Sequence, residues 1–468
     1  MTHADLLGAL PTLALCAGAL AVLVLGRLTR RRAVIEALAM LSIAAAALLA
    51  VLLPELPATA GGMFSPGGNG RLFVVFFSLL GAIAILASTR YGREHGFSTG
   101  EYDALILFAC AGMCWLASAA SAWGFVIGLS SFTLALYVLI AFARDGGAGS
   151  EAAAKYLSMG MIAGGMLAFG LALLYAAAGT LDLSRLASAS SAGAAPPFSL
   201  LGMALVLAAL AFKISLAPFH LWTPDVYQGA PAPVAGLLSG GSKAAVLAGL
   251  LVLLPAGAIS GAVQKLLLAL AALSLLWGTL AALRQTDLKR LLAYSSVVQM
   301  GTAAIGLLAG NRAGAQAVAF YLVFYGLAAA GSFAFLAALA NTADEPERLE
   351  DLRGLGFRRP LVALGLAVCM LAFAGIPPTG GFFAKLQVFA AAVLAGQWEI
   401  AVAGVLAAFV SVAYYLRVIM LLYMSDEAAP ERPRPHLAET LAVLLPALLL
   451  LLLGVAPGLL MDWIGAGM

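Results

Sequence analysis

The sequence predicts an all-α, polytopic membrane protein with about fourteen transmembrane helices. Three observations predict it: an extreme apolar composition, apolar runs that recur at the length of a membrane span, and a lopsided placement of the basic residues. Hydrophobic residues make up 63% of the 468 and charged residues only 10%, with a mean hydropathy of +1.03. Soluble domains carry about 25% charged residues. A water-soluble fold of this length could not bury so much apolar surface, so lipid is the solvent for most of the chain.

The apolar runs follow one another without a soluble interval, so 1–468 reads as one membrane domain. The net charge of +3 carries no block of like charges, which argues against a nucleic-acid partner. Cys16, Cys110, Cys114 and Cys369 all lie in apolar runs. Cys110 and Cys114 share a helix face but lack a CxxC spacing or a third ligand, so they read as small filler rather than a metal or redox pair.

A span needs about 20 mainly apolar residues. In chain order the runs lie near 5–26, 33–53, 71–89, 102–120, 122–143, 152–178, 199–220, 231–254, 261–283, 287–309, 313–340, 360–394, 398–424 and 437–460. The first lacks Lys or Arg between Met1 and Asp5 and is followed by Arg27, Arg30, Arg31 and Arg32. That is the pattern of an uncleaved span with its N-terminus outside, not of a signal peptide. The fourth and fifth are joined by a tight turn at Ala120 and Ser121. The seventh carries Pro218 near its end, and the twelfth is too long for one crossing and is interrupted by Pro377, Pro378, Gly380 and Gly381. These two breaks stand five spans apart, which suggests two five-helix repeats, about 102–254 and 261–424, flanked by helices at 5–89 and 437–460.

The basic residues test the count. Segments after odd-numbered spans, including Arg30, Arg90, Arg144, Lys155, Lys289, Arg359 and Arg432, hold 17 Lys and Arg. Segments after even-numbered spans hold 4: Arg71, Arg185, Lys265 and Arg312. Such asymmetry places the odd-numbered loops in the cytoplasm and both termini on the other side.

Four cations remain inside spans: Lys213, Lys243, Lys385 and Arg417. A Lys at mid-bilayer costs about 2.5–3.5 kcal/mol on insertion scales. Lys155, Lys265 and Lys289 lie near span ends and can snorkel to the headgroups; Lys213, Lys243 and Lys385 are too deep. Lys213 sits beside Ser215 and Pro218, Lys385 follows the Pro/Gly break, and Lys243 follows Ser239–Gly241. Unpaired backbone at that depth is tolerated only inside protein or along a wet cavity. Burial favours amine over ammonium, so such a lysine can exchange protons near neutral pH, whereas arginine cannot. The three lysines are therefore candidate proton carriers. His220, two residues after Pro218, is a candidate relay. Arg417 lies nearer the cytoplasmic end of its span and reads as a structural partner for a carboxylate. Asp225 reads as a loop or helix cap, and Trp222 and Tyr227 as interfacial anchors.

The run AFKISLAPFHLWTPDVYQGAPAPVAGLLSGGSKAA at 211–245 strongly resembles subunit N of proton-translocating NADH:quinone oxidoreductase. DLKRLLAYSS at 287–296, AGIPPTGGFFAKLQVF at 374–389 and AYYLRVIMLLY at 413–423 resemble it too. Weaker similarity extends over nearly the whole chain. The resemblance implies fourteen helices, two inverted five-helix bundles, and a proton path through Lys213, Lys243 and Lys385 with His220 along it. It implies no cofactor in this chain: NADH, flavin, iron–sulfur clusters and quinone would belong to other membrane and peripheral subunits. A bacterial inner (plasma) membrane is the implied location. Two positions depart from the family. Ser130, after Gly128, stands where a glutamate is usual, and Gln299 stands where a histidine is frequent. Lys213 is therefore expected to lack its usual ion-pair partner unless a neighbouring subunit supplies one. The alternatives are a sodium/proton antiporter, a membrane-bound hydrogenase subunit, or a scaffold whose channel has decayed.

Overall fold

The computed structural model describes all residues except 1–2, 30, 54–68, 98, 143–146, 187–195, 256, 258–260, 342–344, 346, 426–432 and 468. Arg30, Arg144 and Arg432, counted above among the cytoplasmic cations, lie outside the described residues. The described chain is helical. The elements are α1 His3–Leu28, α2 Arg32–Leu52, α3 Asn69–Glu94, α4 Gly100–Ala117, α5 Ala122–Ile140, α6 Ala148–Ala178, α7 Pro197–Ile214 and α8 Trp222–Gly229. Next come α9 Ala232–Leu237, a π-helical turn Leu238–Ser242, α10 Lys243–Leu253, α11 Gly261–Leu283, α12 Leu288–Leu308 and α13 Arg312–Leu339. A 3-10 turn Leu349–Leu352 leads to α14 Leu355–Arg358, α15 Pro360–Ala374, α16 Gly380–Leu394, α17 Trp398–Tyr423, α18 Leu437–Val455 and α19 Gly458–Gly467.

Among the described residues, thirteen helices are long and apolar enough to cross a membrane. Two shorter apolar ones, α15 and α16, divide the predicted twelfth span between them. The predicted layout of fourteen is thus recovered, with the twelfth interrupted at 375–379. Local chemistry fixes the ends. Ser121, Asp287 and Asn311 accept backbone N–H bonds at the starts of α5, α12 and α13 (3.2, 2.9 and 2.8 Å). Proline occupies the first turn of α7, α9 and α15, where its missing N–H costs nothing.

Burial sorts the helices. α13 is buried throughout from Ala317 to Leu339 and α12 nearly so, whereas only about a third of α2, α6 and α17 is buried. The exposed side chains are large and apolar, among them Leu41, Phe169 and Phe409. That is the surface expected against lipid or neighbouring apolar chains. α13 packs against α3, α15, α16 and α18. Arg90 of α3 donates to Glu439 of α18 and to the Ala338 carbonyl, both at 2.8 Å. Arg71, Arg90 and Arg93 all lie within α3 rather than in the loops that flank it.

Three expectations are corrected by this packing. Trp222 and Tyr227 are buried (1% and 0% exposed), not interfacial, because α8, which follows the break in the seventh span, folds into the protein. Lys289 is 2% exposed and does not snorkel: it pairs with Glu345 and, at 3.3 Å, with Glu347. Asp225 lies in the first turn of α8 without capping it and instead bridges Lys155 and Arg290 at 3.1 and 3.2 Å. Lys155 is partly exposed and Lys265 exposed, as their end positions predicted.

Candidate functional site

The breaks in the two interrupted spans place the polar centre. α7 stops at Ile214 because Ser215 turns to φ 64°, the left-handed region. The freed groups are satisfied inside the protein. Leu216 N–H bonds the Ala211 carbonyl at 2.8 Å, Trp222 Nε1 donates to the Phe212 carbonyl at 2.9 Å, and Ser274 of α11 accepts from Ala217 N–H at 2.8 Å. α15 stops at Gly375, φ 80°, where a Cβ would also press to 2.9 Å from the Lys385 side chain. At Gly381 a Cβ would fall 1.8 Å from the Ala372 carbonyl. Glycine is thus required for the two halves of this span to pass so close. The Ser239–Gly241 segment before Lys243 is not a break: it forms the π-helical turn in a span continuous over Ala232–Leu253.

All three deep lysines are buried, Lys213 and Lys385 at 5% and 6% exposed and Lys243 at 0%. No ion pair among the described residues includes any of them. Their partners are neutral. Lys213 Nζ donates to Thr133 Oγ1 at 3.3 Å and lies 5.0–5.6 Å from the ring centres of Tyr156, Tyr137 and Phe212. Lys243 Nζ donates to Ser296 Oγ at 2.5 Å and lies 5.2 Å from the Tyr227 ring centre. Lys385 Nζ donates to the Phe373 and Ala374 carbonyls at 2.6 and 3.1 Å. It thereby caps the C-terminal end of α15, where the helix dipole is negative.

A buried polar chain runs from Lys385 to Ser295, the neighbour in sequence of the serine that holds Lys243. The Phe373 carbonyl that receives Lys385 also accepts from Gln299 Nε2 at 3.2 Å. Gln299 Nε2 donates to Tyr415 OH at 2.9 Å, and the Tyr415 and Ser295 hydroxyls are hydrogen-bonded at 2.5 Å. Tyr321 OH donates to Gln299 Oε1. Ser296, the next residue after Ser295, holds Lys243. Near Lys243, Ser239 Oγ and Tyr325 OH share a hydrogen bond at 2.7 Å. Lys213 is not on this chain. Between it and Lys243 stand Tyr156, Trp222 and Tyr227, with successive ring centres 4.5 and 6.3 Å apart. His220 is 4% exposed. Its ring lies edge-on to Tyr294 and Trp277, and its Nδ1 has no hydrogen-bond partner among the described residues.

The remaining predicted positions separate. Gln299 is central. Ser130 faces outward, exposed, and Thr133, nearly one turn on, is the α5 residue that meets Lys213. Arg417 donates to the Gln285 carbonyl at 2.6 Å rather than to a carboxylate. Asp225 lines a charged cleft with Glu151, Lys155, Gln228 and Glu347. Burial pushes the Glu347 carboxyl above its usual range, against the pull of Lys289. Among the described residues no group of His, Cys, Asp and Glu could hold a metal.

The profile of the NADH:quinone oxidoreductase/Mrp antiporter transmembrane family matches residues 119–411, well over half of the chain. NADH-quinone oxidoreductase subunit N of Geobacter metallireducens is 45% identical, covering 99% of this chain and 98% of its own. The chain belongs to this family, among its subunit N members. The subunit N of Syntrophotalea carbinolica is 44% identical, covering 100% of this chain and 99% of its own. Among solved structures, a chain of respiratory complex I from Thermus thermophilus with bound aureothin superposes with a TM-score of 0.84 at 35% identity, covering 98% of this chain and 100% of that one. A chain of the Mrp complex from Dietzia shares the fold alone, with a TM-score of 0.84 at 22% identity, covering 100% of this chain and 97% of that one. The antiporter-like subunit fold, with its paired interruptions, is therefore the frame in which the buried lysines sit.

Sequence alone missed Thr133, Tyr321 and Tyr415. Tyr415 lay inside the AYYLRV motif and Ser295 and Ser296 inside AYSS, but a hydroxyl in an apolar span gives no sign of which amine it will meet.

Proposed function

We propose that the chain translocates protons as subunit N of a bacterial NADH:quinone oxidoreductase in the inner membrane, with Lys213, Lys243 and Lys385 as the carriers. The observation that supports it most is three buried amines with no carboxylate partner, with hydroxyls and an amide lining most of the way between two of them. An amine in such a setting can release its proton without leaving an unpaired carboxylate behind. Gln299 bonds through both ends of its amide and serves as a polar link that does not itself titrate. The cleft around Asp225 and Glu347 is the cytoplasmic mouth. The aromatic layer from Tyr156 to Tyr227 separates Lys213 from Lys243, and His220 is the group poised to bridge that gap when water enters. The two five-helix repeats, 102–254 and 261–424, each supply one interrupted helix, and both termini lie on the non-cytoplasmic side. NADH, flavin, iron–sulfur clusters and quinone are handled by partner subunits, whose redox work drives this path.

The test is Lys213→Ala in the assembled complex. In inverted vesicles it should lose most NADH-driven proton uptake while subunit abundance persists. Wild-type pumping in that variant would rule out Lys213 as a carrier, and the same result with Lys243→Ala would leave the chain as a scaffold.

A further inference from the structure

A second polar cavity, away from the lysines, opens at the arginine-rich edge of the bundle. It measures about 540 Å³ and is lined by Thr286, Arg348, Glu350, Arg353, Arg417 and Leu421 among others. We propose that it binds the headgroup of an anionic phospholipid whose chains lie along α17.

The walls are built, not incidental. Leu349 N–H bonds the Thr286 carbonyl at 2.9 Å and Gly354 N–H bonds the Leu421 carbonyl at 3.0 Å. These bonds pin the 3-10 turn between the α11–α12 connection and α17. The Arg417 guanidinium is fixed by its 2.6 Å bond to the Gln285 carbonyl. A guanidinium has five N–H donors in a fork that matches phosphate oxygens, so one such bond leaves the fork able to accept a second ligand. Three guanidinium groups line the cavity against one carboxylate, and that carboxylate, Glu350, lies 3.6 Å from Arg353, a loose pair.

Position distinguishes a lipid from a free anion. Arg417 lies within two turns of the end of α17. Met420 and Met424 follow it at helical spacing on the same face and are 52% and 75% exposed. Phe409 and Val410 continue that outward strip on the other side of Arg417, toward the bilayer centre. A headgroup in the cavity would therefore leave its acyl chains against apolar side chains, a contact inorganic phosphate cannot make. Basic pockets between spans at the cytoplasmic edge are the recurrent form of such sites.

The test uses the whole complex in detergent, depleted of lipid and exposed to a phosphatidylglycerol analogue bearing a photoreactive diazirine near the glycerol. Adducts are expected on peptides covering 348–353 and 417–424. Unlabelled phosphatidylglycerol should displace them at least about tenfold better than phosphatidylcholine, and millimolar inorganic phosphate should not. Arg348→Gln/Arg353→Gln/Arg417→Gln should lower the adducts by a similar factor; if that variant does not assemble, the competition on the unaltered complex decides alone. Equal displacement by phosphatidylcholine, displacement by phosphate, or absence of adducts on these peptides would each overturn the proposal.

Discussion

Replacing Lys385 with methionine separates the chemistry of the proton path from its structural role. Methionine keeps an unbranched chain of similar reach, which matters where the Lys385 stem fills the space a Cβ at position 375 would need. The amine bonds two carbonyls at 2.6 and 3.1 Å. After its loss the Phe373 carbonyl still has Gln299 at 3.2 Å, so one carbonyl, that of Ala374, loses its side-chain partner. That costs about 1–3 kcal/mol. Removing a lysine from mid-bilayer returns about 2.5–3.5 kcal/mol on insertion scales. The two nearly cancel, so the subunit should accumulate and assemble normally. On the proposed path, however, proton translocation loses its last carrier. The assay is NADH-driven dye quenching in inverted vesicles, normalised to NADH oxidation and to subunit abundance. A fall of at least about tenfold, equivalent to about 1.4 kcal/mol of barrier, is expected. Lys385→Arg keeps a charge and donors but cannot release its proton, and should fail in the same assay. Normal proton-to-electron ratios in either variant, at normal abundance, would refute the role of Lys385.

Further outcomes follow from the same contacts. Gln299→Leu removes three described hydrogen-bonding contacts at once and should destabilise the subunit by a few kcal/mol, read as a lower thermal midpoint of the complex, whereas Gln299→His should keep both folding and pumping. Thr133→Val strips Lys213 of its hydroxyl acceptor and should lower pumping with abundance unchanged; an unaltered rate would show that Thr133 does not tune Lys213. Ser130→Glu places a carboxylate on an outward face, so it should reduce membrane accumulation of the subunit expressed alone and recover when partner subunits are present, as quantified by immunoblot. Lys289→Met leaves Glu345 and Glu347 without their cation and should cost about 3–5 kcal/mol; adding Glu345→Gln should restore much of the lost abundance.

The sequence by itself determined the solvent, the span count, the two interruptions and the depth of three lysines. Each follows from local chemistry: apolar length fits a bilayer, proline and glycine cannot continue a helix unaided, and an amine inside twenty apolar residues has nowhere to snorkel. Only the tertiary structure decided what those lysines touch. The α5 residue facing Lys213 is Thr133, not Ser130, because rotation about a helix axis is set by packing against neighbours rather than by a motif. Trp222 and Tyr227 looked interfacial because amphipathic rings usually are, yet the folded-in α8 segment buries them between two amines. Lys289 looked like a snorkelling end residue because its carboxylates, Glu345 and Glu347, stand more than fifty positions away. The polar groups between Lys243 on α10 and Lys385 on α16 come from three further helices, α12, α15 and α17. Such convergence depends on which helices become neighbours, and hydropathy along one strand of text holds no record of that.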